Sequence, residues 1–544
     1  MARPDGQPPA SQVGLLCSAD IFSQLLDILD ARAELRRTWA ERVQSVFVYA
    51  GQDTVATQTL LRRVVDDPTA AVIAGDHPSQ WTVSAHWPDF CGPMSGLSVA
   101  AGQSHDGTTF VFHSTVAHEA IISTDQRVGF FRSDCHGVPL FFSAASSIVD
   151  LDSPITATNF DVREHFLPSV PLVLYVKWAF ADSCWRAPDP QACLVIDDPL
   201  LRPRYGFLRY SELLDAMRRH NFTTNIAFIP WNWRRSRSPV VRMFEENPER
   251  YSLSTHGCDH TGSEFGTRDE SLLAWKVKRA SDRMSWHESR TGIRHDHIMV
   301  FPQGVFSDAA MDTLKRANLV AAVNTEVISA DSGTPAIRTS DVWDVAVRTY
   351  HNFPLFTRRY PSQGIENFAF DIILGKPCIV VAHHDVCRDR YRHLTEFIQR
   401  LNALNCRLSW QSLGSVVRSA CRQREQSTDG VEVEMYASEL IVTNRSKQRR
   451  HYVIRKHESD PSVVEQVRVD SRPVAWKFDH GELRIDLDLN PAEQVLLCVR
   501  FREVERRWDR SPESLGYKVK TLLRRAASEA RDNYVTRISL PFRS

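Results

Sequence analysis

The sequence predicts an α/β protein centred on a seven-stranded (β/α) barrel or near-barrel, with an N-terminal α/β domain over 1–160 and a C-terminal β-sandwich. Three observations carry this. Between about 168 and 425, apolar runs alternate with helical periods: "CLVI" 193–196, "TNIAFI" 224–229, "YSLST" 251–255, "HIMVF" 297–301, "LVAAV" 319–323, "VWDVAV" 342–347 and "CIVVA" 378–382. Such runs are apolar throughout, so the sheet is parallel and covered on both faces. Ahead of them, 19–155 mixes a helical stretch at Ile21–Arg42, the run "SVFVYAG", a second helix and short strands such as "TTFVFHS" and "VPLFFSA". Behind them, after the polar linker "RQREQSTDG" at 422–430, strict alternation in "VEVEMYASELIVTN", "RHYVIRK", "EQVRVD", "ELRIDLDL" and "EQVLLCVRF" marks antiparallel strands buried on one side, spanning 430–502.

Helices fill the barrel gaps at 210–221, 268–289, 308–318 and 390–404. Beyond Phe501, a tail over 503–544 reads as one helix in which Lys518, Lys520, Arg524, Arg525 and Arg531 outnumber the acids. A basic helix of this kind can make peripheral contact with an anionic membrane or a partner, or stay solvated.

Composition narrows the function. With 66 basic and 66 acidic side chains there is no net charge to attract nucleic acid. Eleven cysteines without a CxxC pair read as free thiols in a reducing compartment. No run approaches the roughly 18 apolar residues that cross a bilayer, and the first residues lack a secretory pattern. The expected location is the cytoplasm.

Polar residues recur where barrel strands end, the place where such folds carry their chemistry. Asp197 and Asp198 follow the first run, His256 and His260 the third, Pro302 and Gln303 the fourth, and His383, His384 and Asp385 the last. His256 and His260, four apart, can face one way over a helical turn. Two histidines and a carboxylate give Zn²⁺ three ligands and leave a coordination position open, as in catalytic sites. A neighbouring carboxylate can act as base and a further histidine as acid. By contrast, Asp134, Cys135 and His136 in "RSDCHG" read as a turn between strands. Trp231, Trp233, Arg234 and Arg235 follow the second run as a sugar-stacking lip or as packing.

"VIDDPL", "STHGCDH", "VFPQG" and "VVAHHD" together resemble the successive motifs of the polysaccharide deacetylase family, the NodB-like carbohydrate esterases, over roughly 190–415. The resemblance implies a distorted seven-stranded (β/α) barrel that hydrolyses an N-acetyl or similar acyl group on a carbohydrate. It implies Asp197 as base, Asp198, His256 and His260 as ligands of a divalent metal, most simply Zn²⁺, and His384 as acid, with His383 the competing choice. Pro302, Gln303, Trp231 and Trp233 become substrate-binding candidates, with a backbone N–H near Gln303 holding the oxyanion. The sequence departs from the family at Val300, where an arginine orients the catalytic aspartate; Arg294 or Arg338 are the candidates to replace it. The fourth motif has only "DVWD", making Asp344 a candidate support for His384. Two other functions stay open: a glycoside hydrolase pairing Asp197 or Asp198 with Asp385, and a glycan-binding protein that has lost turnover.

Overall fold

The computed structural model describes residues 13–75, 78–102, 108–112, 118–124, 126–331, 335–426, 430–503 and 514–535. The opening stretch up to residue 12, the end of "TTFVFHS" and linker positions 427–429 lie outside them. By contacts the chain divides into two units, 1–151 with 161–184, and 152–160 with 185–544.

The first unit is a nine-stranded mixed sheet with helices. The helical stretch expected at Ile21–Arg42 is two helices, Ala19–Ala31 and Ala33–Arg42, because Arg32 leaves helical geometry at φ −127°, ψ 90°. "SVFVYAG" lies in the strand Val43–Tyr49. The hairpin between Val128–Cys135 and Val138–Ser143 turns through His136 and Gly137, both at positive φ, with Asp134 Oδ1 accepting the Gly137 N–H at 2.8 Å. Asp134, Cys135 and His136 thus form the expected turn.

In the second unit, seven parallel strands form a nearly closed ring: β1 Gln191–Asp197, β2 Thr224–Phe228, β3 Tyr251–His256, β4 Asp296–Val300, β5 Ala321–Asn324, β6 Leu355–Thr357 and β7 Cys378–Ala382. Neighbours run β6-β5-β4-β3-β2-β1-β7. Every residue of β1, β2, β5 and β7 is buried, polar Gln191, Asp197, Thr224, Asn225 and Asn324 included, and the rest of these segments is apolar. The ring closes just past β6, where Arg359 N–H donates to Ile379 O at 3.0 Å and Val381 N–H to Arg359 O at 2.9 Å. The surrounding helices are amphipathic; Arg392–Asn402 buries Leu394, Phe397, Ile398 and Leu401 at helical spacing.

The sixth strand is not the one expected. "VWDVAV" starts as the helical turn Thr339–Trp343, with Asp341 Oδ2 accepting the Arg338 N–H at 2.8 Å. Its Val345 and Ala346 enter the core beside Tyr436 and Ala437 without joining the ladder. The ladder belongs instead to Leu355–Thr357, pairing Ala322 with Leu355 and Val323 with Phe356.

After the barrel come a five-stranded and a four-stranded sheet. Val433, Ile454 and Ile485 of one and Leu440, Val467 and Leu497 of the other share a single buried cluster. Alternation shows plainly in Gln494–Phe501, where every second residue is buried. One pair departs from the antiparallel expectation: Gly430–Met435 runs parallel to Arg450–His457. The intervening strand Glu439–Thr443 crosses to the other sheet, so the chain returns in the same direction. The basic tail forms the helix Leu515–Ala530, capped by Ser514, and a wide turn Arg531–Val535. Among the described residues no helix is long and apolar enough to cross a membrane, and all eleven cysteines are free.

Candidate metal centre and active site

β1 and β3 deliver the proposed ligands. Asp198 follows the end of β1 at φ 79°, and His256 is the last residue of β3. The histidine pair does not share a helical turn: Gly257 at φ 63° and His260 at φ 57° fold a tight loop that returns the second ring towards the first, centroids 5.1 Å apart. Left-handed geometry at Asp198, His260 and Gln303 costs roughly 1–3 kcal/mol each. All three line one cavity.

Asp198 Oδ1 stands 3.4 Å from His256 Nε2 and 3.2 Å from His260 Nε2, and the three ligand atoms lie within 4.8 Å of one another. Ligands about 2.1 Å from a tetrahedral Zn²⁺ are separated by roughly 3.4 Å, so the spacing fits that ion. Two further features agree. Asp198 Oδ1 is buried without a hydrogen-bond partner, a costly arrangement that a cation relieves. His256 Nδ1 lies 3.0 Å from Val300 O; donating there fixes the tautomer and leaves the Nε2 lone pair facing Asp198. Burial opposes ionisation of Asp198, but His256, His260 and Arg525 outweigh it and hold the carboxyl far below its usual range. Burial pushes His260 down, towards the neutral imidazole a metal binds. Among the described residues, no other set of three His, Cys, Asp or Glu has metal-binding spacing.

The loop holding the histidines is organised by Glu264, whose carboxylate accepts N–H bonds from Cys258 at 2.8 Å and His260 at 3.0 Å and a bond from Lys276 Nζ at 2.8 Å. Gly257 is required here. A Cβ at that position would stand 2.2 Å from Glu264 Oε1 and 2.3 Å from Pro302 Cγ, in a backbone conformation few side chains adopt. Gly257→Ala is expected to lower stability by roughly 1–3 kcal/mol and to weaken metal binding as the loop shifts; thermal melts with and without zinc would measure both.

Asp197, 4% exposed, is gripped by Arg358, 3% exposed, through two parallel bonds of 2.7 Å from Nη1 and Nη2 to Oδ1 and Oδ2. Arg358 follows β6 directly. Arg358 is the arginine that meets Asp197, whereas Arg294 is exposed and Arg338 donates to Asp152 at 3.1 Å. Burial raises the Asp197 pKa, yet Arg358 first, then His256 and His383, bring it below the ordinary value.

The histidine lining the cavity is His383, not His384. His384 is buried against Tyr205 and Phe207, with Nε2 3.7 Å from Asp532 Oδ1. In the turn that follows β7 the two side chains part, and only the first faces Asp197 and Tyr360. Asp344 cannot support either: it is held by Arg348, Arg422 and Tyr436. Asp385 does not line the cavity.

Of the substrate-binding candidates, Gln303 lines the cavity, and its Oε1 accepts the Ser263 N–H at 3.0 Å. Pro302 is buried behind it, at Gly257. Trp231 and Trp233 pack on the helix Glu270–Thr291, under Arg283 and against Trp286 respectively, and do not reach the cavity. Sequence reasoning missed Arg358, Glu264, Glu326 and Tyr360. An acid four residues after His260 and the "RR" after Leu355–Thr357 were the available signals.

No protein-family model matches the chain, and no curated protein matches it significantly. Solved structures do. The chain is similar to the CE4 domain of a multidomain xylanase from the hindgut metagenome of Trinervitermes trinervoides, at 11% identity over 42% of this chain and 89% of that one, with a TM-score of 0.27. A family 4 carbohydrate esterase from Bacillus anthracis matches at 13% identity over 45% and 92%, with a TM-score of 0.27. One from Streptomyces lividans matches at 13% over 40% and 86%, with a TM-score of 0.23. The matched structures are thus a CE4 domain and two family 4 carbohydrate esterases.

Proposed function

We propose that this protein is a metal-dependent hydrolase that removes an N-acetyl or similar acyl group from a carbohydrate. The observation that carries the reading is the Asp197–Arg358 pair set beside Asp198, His256 and His260 in one cavity of about 330 Å³. Asp198, His256 and His260 would hold the ion, Zn²⁺ by donor set, which when bound supplies Lewis acidity to the acyl carbonyl.

The remaining steps belong to the protein. Arg358 occupies one lone pair on each Asp197 oxygen; each keeps a second, from which the carboxylate accepts the proton of the attacking water. His383, across the cavity, gives its proton to the departing amine nitrogen as the C–N bond breaks. The products are acetate and a free amino sugar. Arg358 also weighs against a barrel that has lost turnover, since the base keeps its orienting cation despite Val300. We read 168–425 as the catalytic barrel, 430–502 as a β-sandwich and 1–160 as an accessory domain, in a reducing compartment consistent with the free thiols.

Acetate release from small N-acetylated sugars, with and without chelator, tests the reaction. Undiminished turnover after complete metal removal would overturn it. For the acid, His383→Ala should cut kcat by about 10²–10⁴-fold with metal content intact, and His384→Ala should leave most of it. The opposite result returns the role to His384.

A further inference from the structure

The floor of the cavity is accounted for by the ligand set, Asp197, Arg358 and His383. Its roof comes from the end of the chain. Arg524, Ser528 and Arg531 of the terminal helix and its wide turn line the same space. This element is tied down at both ends. Near its start the Tyr517 hydroxyl bonds Asp259, between the two ligand histidines, and accepts from Lys276 Nζ at 3.1 Å. Near its end Arg235 donates to Glu529 at 2.7 Å, the Tyr205 hydroxyl to Asp532 at 2.8 Å, and Gly206 N–H to Asn533 Oδ1 at 2.9 Å.

Between those anchors lie Arg524, which lines the cavity, and its buried neighbour Arg525, which does not. Arg525 is 3% exposed, and its Nε and Nη2 are buried with no hydrogen-bond partner. Its charge helps to hold the Asp198 carboxyl ionised. Arg524 reaches the loop past His260, with Nη1 2.9 Å from where a Cβ on Gly262 would be. Of the acids lining the cavity, Asp197 holds Arg358, Asp198 belongs to the ligand set, and Glu326 is the third. Arg531 shares Asp532. A buried guanidinium left unpaired is expensive. Bidentate pairing with a phosphate or carboxylate is what its geometry accepts.

Resting on the deacetylase reading, we propose that Arg524, with the charge of its buried neighbour Arg525 beside it in the chain, forms an anion subsite in the roof of the active site, selecting acylated amino sugars that carry a phosphate or carboxylate near the scissile amide. A cavity of about 330 Å³ is at the small end of ligand pockets. With a helix across it, it takes one sugar and its charged group.

The test uses the zinc-loaded full chain and three probes: methyl N-acetylglucosaminide, N-acetylglucosamine 1-phosphate and an N-acetylated aminouronic acid. Calorimetry should give at least one anionic probe a Kd about tenfold or more below the neutral one, and whichever anion wins names the group. In Arg524→Gln that ratio should collapse towards one. Arg525→Gln should do the same; if it does not fold, the half-exposed Arg524 decides alone. Equal binding of all three probes, or a preference untouched in Arg524→Gln, overturns the subsite. Arg524-dependent anion binding without acetate release would keep the subsite and end the deacetylase reading. Acetate release from neutral and anionic probes alike, indifferent to Arg524, would do the reverse.

Discussion

Arg358→Met should reduce acetate release by about 10²–10⁴-fold while leaving the metal bound. Two 2.7 Å bonds between almost fully buried groups are removed at once. The carboxylate left behind has lost its main compensation, and breaking such a pair costs about 3–5 kcal/mol. Part of this is relieved by protonation: without Arg358, burial dominates and the Asp197 pKa rises. The sign of the pH dependence follows. In the native protein the lowered pKa contributes stability above the ordinary carboxylate pKa, lost as pH falls through the folded value. In the variant the carboxyl holds its proton more firmly folded than unfolded, so stability falls as pH rises. The gap in melting temperature between the two proteins should therefore be widest near neutrality and narrow towards acid. The acid limb of kcat/KM should move to higher pH. Arg358→Lys, which keeps charge but not the fork, should fall between, and Asp197→Asn with Arg358→Met should recover melting temperature but no activity. Native turnover and an unmoved pH profile in Arg358→Met would remove Asp197 from the role of base.

His256→Ala should abolish turnover and weaken zinc binding by more than about 100-fold, since even partners one bond further out are worth 10–100-fold. The side chain is 1% exposed and anchored on Val300 O, so its loss also leaves a void and melting temperature should fall. Asp198→Asn separates the two effects. It keeps the volume and removes the charge facing both imidazoles at 3.2–3.4 Å. Zinc at about 100 times its Kd should stabilise the native protein by about 2.7 kcal/mol, and Asp198→Asn should show little of that gain. A zinc-induced rise in melting temperature that survives in both variants would place the metal elsewhere.

Six of the seven barrel strands were legible, most plainly where burial on both faces leaves an apolar run, as in "CLVI" and "CIVVA". β6 was not, since Leu355–Thr357 is three residues long while "VWDVAV" offers six of the right type. Misplacing that one strand hid Arg358, which only its position after β6 would have shown to face Asp197. His383 and His384 could not be told apart because adjacent residues at a strand end differ only in the turn that follows. The tail read as a basic helix, and Leu515–Ala530 is one, but nothing within it states what it covers. Its partners, Asp259, Arg235 and Tyr205, lie roughly 260 to 330 positions earlier.

Arg358 and Arg359 are neighbours with opposite destinations. The first reaches inward to Asp197; the second donates from Nε to Asp371 at 2.6 Å while its backbone seals the ring to β7. Adjacent strand residues face opposite ways, so a shift of one position along that seam would carry the wrong guanidinium into the mouth. The join between β6 and β7 is thus also the gauge that sets which guanidinium meets Asp197. An insertion or deletion between Phe353 and Arg358 should move Arg358 away from Asp197 and abolish acetate release.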